Sequence, residues 1–194
     1  THIIRGDDHL TNASRQAIIY HNLGWQLPEF AHIPLIHGND GGKLSKRHGA
    51  TSVLEYKEMG YLPVALRNYL LRLGWSHGDD EIISDQQAIE WFNLTSIGKS
   101  PARFDLKKLD NLNAHYIRQQ NLVELLPILQ QHITQKINRP LEEIEQQRLE
   151  QLFDELKERA ITLEELAKNS LFLLEHSLTF SDKAKNILHK LNNI

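Results

Sequence analysis

The apolar positions near the start of the chain predict two strands separated by a helix. Residues 30–36 form a short, mostly apolar run, which is typical of a strand in a covered sheet. Residues 2–5 form a similar, shorter run. Between the two, Thr11 or Asn12 is expected to cap a helix that ends before Gly24, since glycine is favoured just past a helix end. The order strand, helix, strand predicts a right-handed βαβ unit of a parallel sheet.

Beyond residue 51 the pattern is helical, and no further strand is predicted. Ser84 with Gln87 forms a capping-box pattern, and Asn121 with Glu124 forms another. Pro127 is expected to bend or shorten the helix that Asn121 starts, because proline lacks the backbone N–H that a helix interior requires. The other predicted helices cover residues 52–59, 64–73, 84–92, 105–116, 141–159, 163–174 and 183–191.

The composition narrows the classes of protein that need to be considered. With 40% hydrophobic and 24% charged residues, the 194-residue chain is expected to be globular and cytoplasmic, and no apolar run approaches the roughly 20 residues that cross a bilayer. Cysteine is absent, which excludes disulfides and thiolate chemistry. The eleven histidines show no close metal-ligand spacing, so no metal site is predicted. The net charge of −3 means that nucleic-acid contacts would need local basic patches.

The clearest such patch follows the second predicted strand. A glycine-rich turn at 38–42 leads into Lys43, Ser45, Lys46 and Arg47. Ligands of open α/β sheets bind at the carboxyl ends of strands, and cations on a flexible loop there suit a polyphosphate whose charge shifts as a phosphoanhydride bond breaks. Lys46 is the first candidate catalytic residue. The alternative is a set of solvated lysines, since short basic runs are common.

The ends of the two predicted strands carry further candidates. The guanidinium of Arg5 could hold a carboxylate by two hydrogen bonds, although a salt bridge to one of the following aspartates is an alternative. His9 could approach a nucleotide. The backbone around Ile33 and Leu35 could lie beside an adenine, although packing is the default role of these side chains.

A thin basic stripe lies along the predicted helix 105–116. Lys107 and Lys108, with Arg103 and Arg118 nearby, could contact an RNA backbone. A solvated helix face is the alternative explanation.

Several segments in a fixed order resemble the class I aminoacyl-tRNA synthetases, specifically the bacterial glutamyl type. The resemblance is strong over residues 1–120 and weaker afterwards. The segments that carry it are Thr1 to Leu10, Ala31 to Leu35, Lys43 to Gly49, Gly60 to Leu70, Leu73 to Gly78, and Phe104 to Ile117.

The resemblance implies an activity and its ligands. Glutamate would attack the α-phosphate of ATP to give glutamyl-adenylate, and the terminal ribose of the glutamate tRNA would then take the acyl group. ATP with Mg²⁺, L-glutamate and tRNA are the implied ligands of a protein expected to be a monomer, and activation is expected to need bound tRNA. The implied residues are Lys46 and Lys43 for catalysis and ATP, Ser45, Ile33 and Leu35 for ATP, Arg5 and His9 for glutamate, and Arg47, Lys107 and Lys108 for tRNA.

The resemblance also implies an α/β then all-α organisation. Residues 1–50 would be the second half of a Rossmann-like nucleotide-binding fold, residues 51–130 a helical stem-contact region, and residues 131–194 the start of a helical anticodon-binding domain. The family's other signature, a His-x-Gly-His turn, is missing here and is expected upstream of Thr1. This chain alone is therefore expected not to activate glutamate.

Three alternatives stay open at this point. A nondiscriminating synthetase would also charge the glutamine tRNA. A helical RNA-binding module would carry no catalysis. A kinase-like enzyme or nucleotidyltransferase of the same general fold would charge no tRNA.

Overall fold

The computed structural model describes residues 1–38, 40–45, 52–174 and 182–191. Strand β1 (His2–Gly6) pairs in parallel with β2 (Glu29–Ile33), and helix α1 (Leu10–Asn22) connects them. The predicted βαβ unit is therefore confirmed. The predicted caps at Thr11 and Asn12 are wrong, because a 3₁₀ turn over Asp7–His9 leads directly from the strand into α1 and winds the chain before those residues.

The second predicted strand is interrupted. It stops at Ile33. After a gap of two residues, β3 (Ile36–His37) begins and pairs in parallel with β4 (Ala102–Arg103). Pro34 lies in the gap and has no N–H to donate to a sheet. The prediction that no strand follows residue 51 is wrong, because β4 lies beyond it. The strand was missed because two residues are too few to show an alternating pattern of apolar and polar positions.

The next four helices follow their capping signals. Ser52 and Ser84 each form a capping box with the glutamate or glutamine three residues on, and the Asp105 side chain accepts a hydrogen bond from the Lys107 backbone N–H. Gly60 has a positive φ of 84° where the chain turns between the first two of these helices. The four helices are α2 (Val53–Glu58), α3 (Pro63–Gly74), α4 (Asp85–Trp91) and α5 (Leu106–Gln119).

The remaining helices correct the sequence analysis in two places. Helix α6 (Leu122–Ile137) runs through Pro127 for 16 residues, so the proline does not shorten it. The single helix predicted over 141–159 is two helices, because the chain leaves helical geometry at Leu152. These two helices are α7 (Glu143–Gln151) and α8 (Phe153–Lys157), and they are followed by α9 (Leu163–Ser170), a 3₁₀ turn (Leu171–Leu174) and α10 (Asp182–Leu191).

One apolar core joins α3 with the helices from α5 to α9. Its fully buried members include Leu129, Ile133, Phe153 and Leu166. Asn113 is also fully buried and connects two segments, because it accepts a hydrogen bond from the Leu62 N–H at 2.8 Å and donates one to the Ile161 carbonyl at 2.6 Å. A buried amide with both groups satisfied fixes the relative position of its partners.

A second, aromatic cluster supports the segment after β3. Its buried residues are Tyr56, Tyr61, Leu66, Tyr69, Phe104 and Leu109. Ile36 and Leu44 pack against this cluster from either end of the glycine-rich turn. The helical part of the chain thus anchors the turn that carries Lys43.

The described residues form a helix-rich chain with two small parallel sheets. No helix in these residues is long and apolar enough to cross a membrane. The finer description, half of a Rossmann-like fold followed by helical domains divided at residues 50 and 130, remains a prediction.

Candidate active site

Arg5 and His32 are neighbours at the carboxyl end of the first sheet. They stand opposite each other in the parallel register of β1 and β2, and Arg5 Nε donates to His32 Nε2 at 3.4 Å. The guanidinium also lies over the Phe30 ring, 5.3 Å from its centre, which adds a cation–π attraction. Arg5 Nη2 is buried and has no hydrogen-bond partner among the described residues. An acceptor from a ligand would satisfy this atom.

The salt-bridge alternative for Arg5 is not formed in the described residues. Asp8 pairs instead with Lys43, whose Nζ donates to Asp8 Oδ2 at 3.1 Å. That hydrogen bond holds the pKa of the Asp8 carboxyl below its ordinary value. The pair ties the first residues after β1 to the segment after β3.

The glycine-rich turn that precedes Lys43 is closed by hydrogen bonds. The Gly38 N–H donates to the Gly42 carbonyl at 2.8 Å, and the Leu44 N–H donates to the Ile36 carbonyl at 2.9 Å. Gly41 has a positive φ of 79°, which favours glycine at this position. The described part of this loop is therefore a defined turn that presents Lys43.

The other described candidates are Ile33 at the end of β2 and three residues that follow the strands, namely His9, Leu35 and Ser45. His9 is exposed, and its Nδ1 is 3.2 Å from Asn12 Nδ2. Ile33 ends β2 opposite Gly6, and both Ile33 and Leu35 are half-buried. Ser45 is half-buried just after Leu44. Lys46 and Arg47 lie outside the described residues.

Comparison with known proteins decides the family. Residues 1–111 match the family model described as tRNA synthetases class I (E and Q), catalytic domain. The chain belongs to this family. The predicted resemblance to class I synthetases is confirmed.

Relatives of known name agree with this assignment. The chain is 58% identical over 190 residues to glutamate–tRNA ligase 2 of Parvibaculum lavamentivorans. This alignment covers 97% of the chain and 39% of the relative. It is 56% identical over 189 residues to glutamate–tRNA ligase 2 of Rhodospirillum centenum, covering 97% and 40%. The chain thus spans about two fifths of the length of these relatives.

Solved structures give the same assignment. A glutamate tRNA ligase from Elizabethkingia meningosepticum, crystallised in complex with its amino acid, aligns with a TM-score of 0.74 at 30% identity. This alignment covers 96% of the chain and 40% of that structure. The glutamate-tRNA synthetase of Elizabethkingia anophelis aligns with a TM-score of 0.75 at 29% identity, covering 98% and 42%.

Lys107 and Lys108 lie apart from the synthetase site candidates on β1 and β2. Both are exposed in the first turn of α5, and no hydrogen bond or ion pair in the described ranges joins either to that sheet edge. Lys108 lines a cavity between α3 and α5, whereas Lys107 is not part of its wall.

The sequence analysis missed the partner of Lys43. There, the aspartates after β1 were considered only as possible salt-bridge partners of Arg5. Only the packing of two segments 35 residues apart reveals the pair. Within the described residues, no group of three or more histidine or acidic side chains is arranged to hold a metal ion.

Proposed function

We propose that the whole protein attaches L-glutamate to the glutamate tRNA through glutamyl-adenylate. The observation that carries the proposal is the Lys43–Asp8 pair, which joins the lysine segment to the end of β1 in a chain of the class I family. It holds Lys43, the proposed phosphate-binding cation, close to the end of β1, where Arg5 lies. The names of the relatives support glutamate as the amino acid.

The proposed reaction has two steps. A carboxylate oxygen of glutamate attacks the α-phosphorus of ATP, and the bond to the β-phosphate breaks to release pyrophosphate. A hydroxyl of the terminal tRNA ribose then attacks the adenylate carbonyl and releases AMP. We propose that tRNA must be bound for the first step to proceed.

Lys46 and Lys43 are the proposed catalytic residues. Negative charge grows on the pyrophosphate as it leaves, and a lysine ammonium that contacts it in the transition state lowers the barrier. Lys43 is already held beside the site by Asp8. Ser45 and the backbone of Ile33 and Leu35 complete the proposed ATP site.

Arg5 is the proposed glutamate-binding residue, with His9 nearby. The unpartnered Nη2 of Arg5 supports this role, because a carboxylate oxygen would satisfy it. The stacking of the guanidinium on Phe30 and its hydrogen bond to His32 restrict its orientation. A fixed guanidinium suits recognition of a planar carboxylate.

Mg²⁺ would enter with the nucleotide. Magnesium at ATP sites is usually held through phosphate oxygens, water and one or two carboxylates rather than by a full protein cage. Asp8 lies beside Lys43 and is the described carboxylate that best fits this role. Bound there, the ion would neutralise phosphate charge.

The helical part is proposed to hold the tRNA. Arg47, Lys107 and Lys108 would contact its backbone, residues 51–130 would form the stem-contact region, and residues 131–194 would begin the anticodon-binding domain. We propose that the whole protein is a cytoplasmic monomer and that residues 1–50 of this chain form the second half of its nucleotide-binding fold.

An exchange of segments tests the proposal. In the Parvibaculum lavamentivorans ligase, this chain would replace the matching segment of 190 residues. With the glutamate tRNA present, the chimera should catalyse glutamate-dependent exchange of pyrophosphate into ATP, whereas the 194-residue chain alone should not. A chimera that folds and binds tRNA but gives no exchange would contradict the proposal. Exchange by the 194-residue chain alone would show that activation does not require the rest of the protein.

The same chimera distinguishes a second candidate. The matching family model covers synthetases for both glutamate and glutamine. Transfer of glutamate to the glutamine tRNA as well would identify a nondiscriminating enzyme.

A further inference from the structure

Helices α3 and α5, with residues 81–82 and β4, line an open cavity of about 690 Å³ whose polar lining is strongly cationic. The volume lies within the range of about 300–1,000 Å³ that is typical of small-molecule sites. Leu73 and Leu112 provide part of its apolar wall. The charged or titratable side chains that line it are Arg72, Glu81, Arg103, Lys108, His115 and Arg118.

The cationic lining follows from the helical repeat. Lys108, His115 and Arg118 are seven and then three residues apart on α5, so they share one face of that helix. Arg72 comes from the last turn of α3, and Arg103 comes from β4 just before α5. Side chains from three elements thus converge with four fixed positive charges and one carboxylate. This balance disfavours a cationic ligand and favours an anion.

Two of the lining residues contain nitrogens without partners. Arg72 Nε and His115 Nε2 are both buried, and neither has a hydrogen-bond partner in the described part of the chain. A buried donor without an acceptor costs about 1–3 kcal/mol, and folded proteins contain few of them. Glu81 does not supply an acceptor for Arg72 Nε, because its carboxylate is 79% exposed and lies 3.5 Å from a different nitrogen, Arg72 Nη1.

We propose that this cavity binds the phosphate group of a nucleotide. A phosphate offers several acceptor oxygens at once, which can accept from the Arg72 guanidinium and from His115 when its Nε2 carries a proton. Lys108, Arg103 and Arg118 supply further positive charge at the exposed edge. The apolar wall beside them suits the ribose or base that a nucleotide carries and that inorganic phosphate lacks.

The phosphate could belong to a free nucleotide or to the backbone of an RNA strand. Both sources present the same chemistry to the cavity, and the test below separates them. The inference does not rest on amino-acid activation, because direct binding to this chain tests it. Arg103, Lys108 and Arg118 also belong to the basic stripe noted in the sequence, so an RNA source would extend the tRNA contact proposed above, whereas a free nucleotide would be a further ligand.

The test is calorimetric titration of the chain with inorganic phosphate, AMP and a short RNA hairpin at one ionic strength. Lys108→Gln and Arg118→Gln each remove one exposed cation of the cavity, so neither should affect folding. Lys57→Gln is the matched control, because Lys57 is exposed on α2 and does not line the cavity. Circular dichroism melting checks that all variants are folded.

The cavity variants should weaken binding by about tenfold each, equivalent to about 1.4 kcal/mol, because each loses one charge-assisted contact to the phosphate, and the control should not. If this loss affects phosphate and AMP, the source is a free nucleotide. If it affects only the hairpin, the source is an RNA backbone. Equal affinities of Lys108→Gln, Arg118→Gln and Lys57→Gln for every probe would overturn the proposal.

Glu81→Gln provides a test in the opposite direction. Glu81 competes with the phosphate for Arg72, so its neutralisation should tighten binding by about two- to fivefold, as expected for an exposed ion pair. Weaker binding in this variant would contradict a phosphate site at Arg72.

Discussion

Lys43 and Asp8 are 35 residues apart in the chain, yet their side chains meet at 3.1 Å. The contact connects the turn after β1 to the glycine-rich turn after β3. Lys43 is thereby held near the carboxyl end of the first sheet, where Arg5 also lies. The proposed synthetase function depends on this juxtaposition, because the cation that binds phosphate must reach the site of amino-acid activation.

The first prediction concerns the titration of Asp8. Lys43 stabilises the charged carboxylate and so lowers the pKa of Asp8. The contribution of the pair to the stability of the folded state is therefore present above the ordinary pKa of aspartate and is lost as the pH falls. In Lys43→Gln the pKa of Asp8 should rise toward the ordinary value. Carboxyl carbon chemical shifts, followed by NMR from neutral to acidic pH, measure it. An unchanged Asp8 titration in the variant would show that the two side chains do not interact in solution.

The second prediction concerns Gly60, which combines a positive φ with a crowded position. A Cβ at Gly60 would lie 2.5 Å from the Glu164 backbone nitrogen and 2.8 Å from that of Leu163. The Gly60 carbonyl also accepts the Leu163 N–H at 2.9 Å. Gly60→Ala should therefore lower the free energy of unfolding by about 3 kcal/mol or more, as measured by urea denaturation.

Gly24→Ala is the matched control for this variant. Gly24 also has a positive φ, 67°, but among the described residues no atom beyond its chain neighbours lies within 4 Å of the added Cβ. The free energy of unfolding of Gly24→Ala should fall only by the cost of a left-handed backbone conformation, about 1–2 kcal/mol. Equal losses for the two variants would contradict the close contact between Gly60 and α9.

The third prediction concerns Tyr61 at alkaline pH. Burial raises its pKa, and the hydrogen bond from its hydroxyl to Asp110 Oδ1 at 2.6 Å raises it further. The folded state thus favours the neutral phenol. Its stabilisation is fully present below the ordinary tyrosine pKa of about 10 and is lost as the pH rises above it.

Tyr61→Phe removes this titration. The free energy of unfolding should fall less steeply in the variant than in the parent as the pH rises above about 10. Burial also raises the pKa of Tyr56, Tyr69 and Tyr116, so part of the slope should persist. Denaturation curves over this pH range measure it, and identical slopes would rule out a special contribution from Tyr61.

Local signals in the sequence predicted much of the fold. The βαβ unit and the capping box at Ser84 depend on neighbouring residues, which a single sequence contains. Features that depend on tertiary packing were missed. β4 exists only because β3 pairs with it, and the break at Leu152 allows Phe153 to be fully buried in the core.

Likewise, part of the candidate site was predicted from local sequence signals, and the contacts that depend on tertiary packing were not. Arg5 was predicted from its position at the end of a strand and Lys43 from its position after one, and the Lys43–Asp8 contact brings the two segments together. The partners Asp8 and His32 were not predicted, because each contact crosses about 30 residues of sequence. Lys46, which the resemblance ranks first, lies outside the described residues, and its role stays a prediction.

The most direct test of the central proposal is the rate of glutamate-dependent pyrophosphate exchange in the chimera described above, with Lys46 replaced by alanine. Loss of a donor to the leaving pyrophosphate should slow exchange by about a hundred- to a thousandfold. Lys57→Ala, which removes an exposed lysine from α2, should leave the rate unchanged. An unaltered rate in Lys46→Ala would contradict the account.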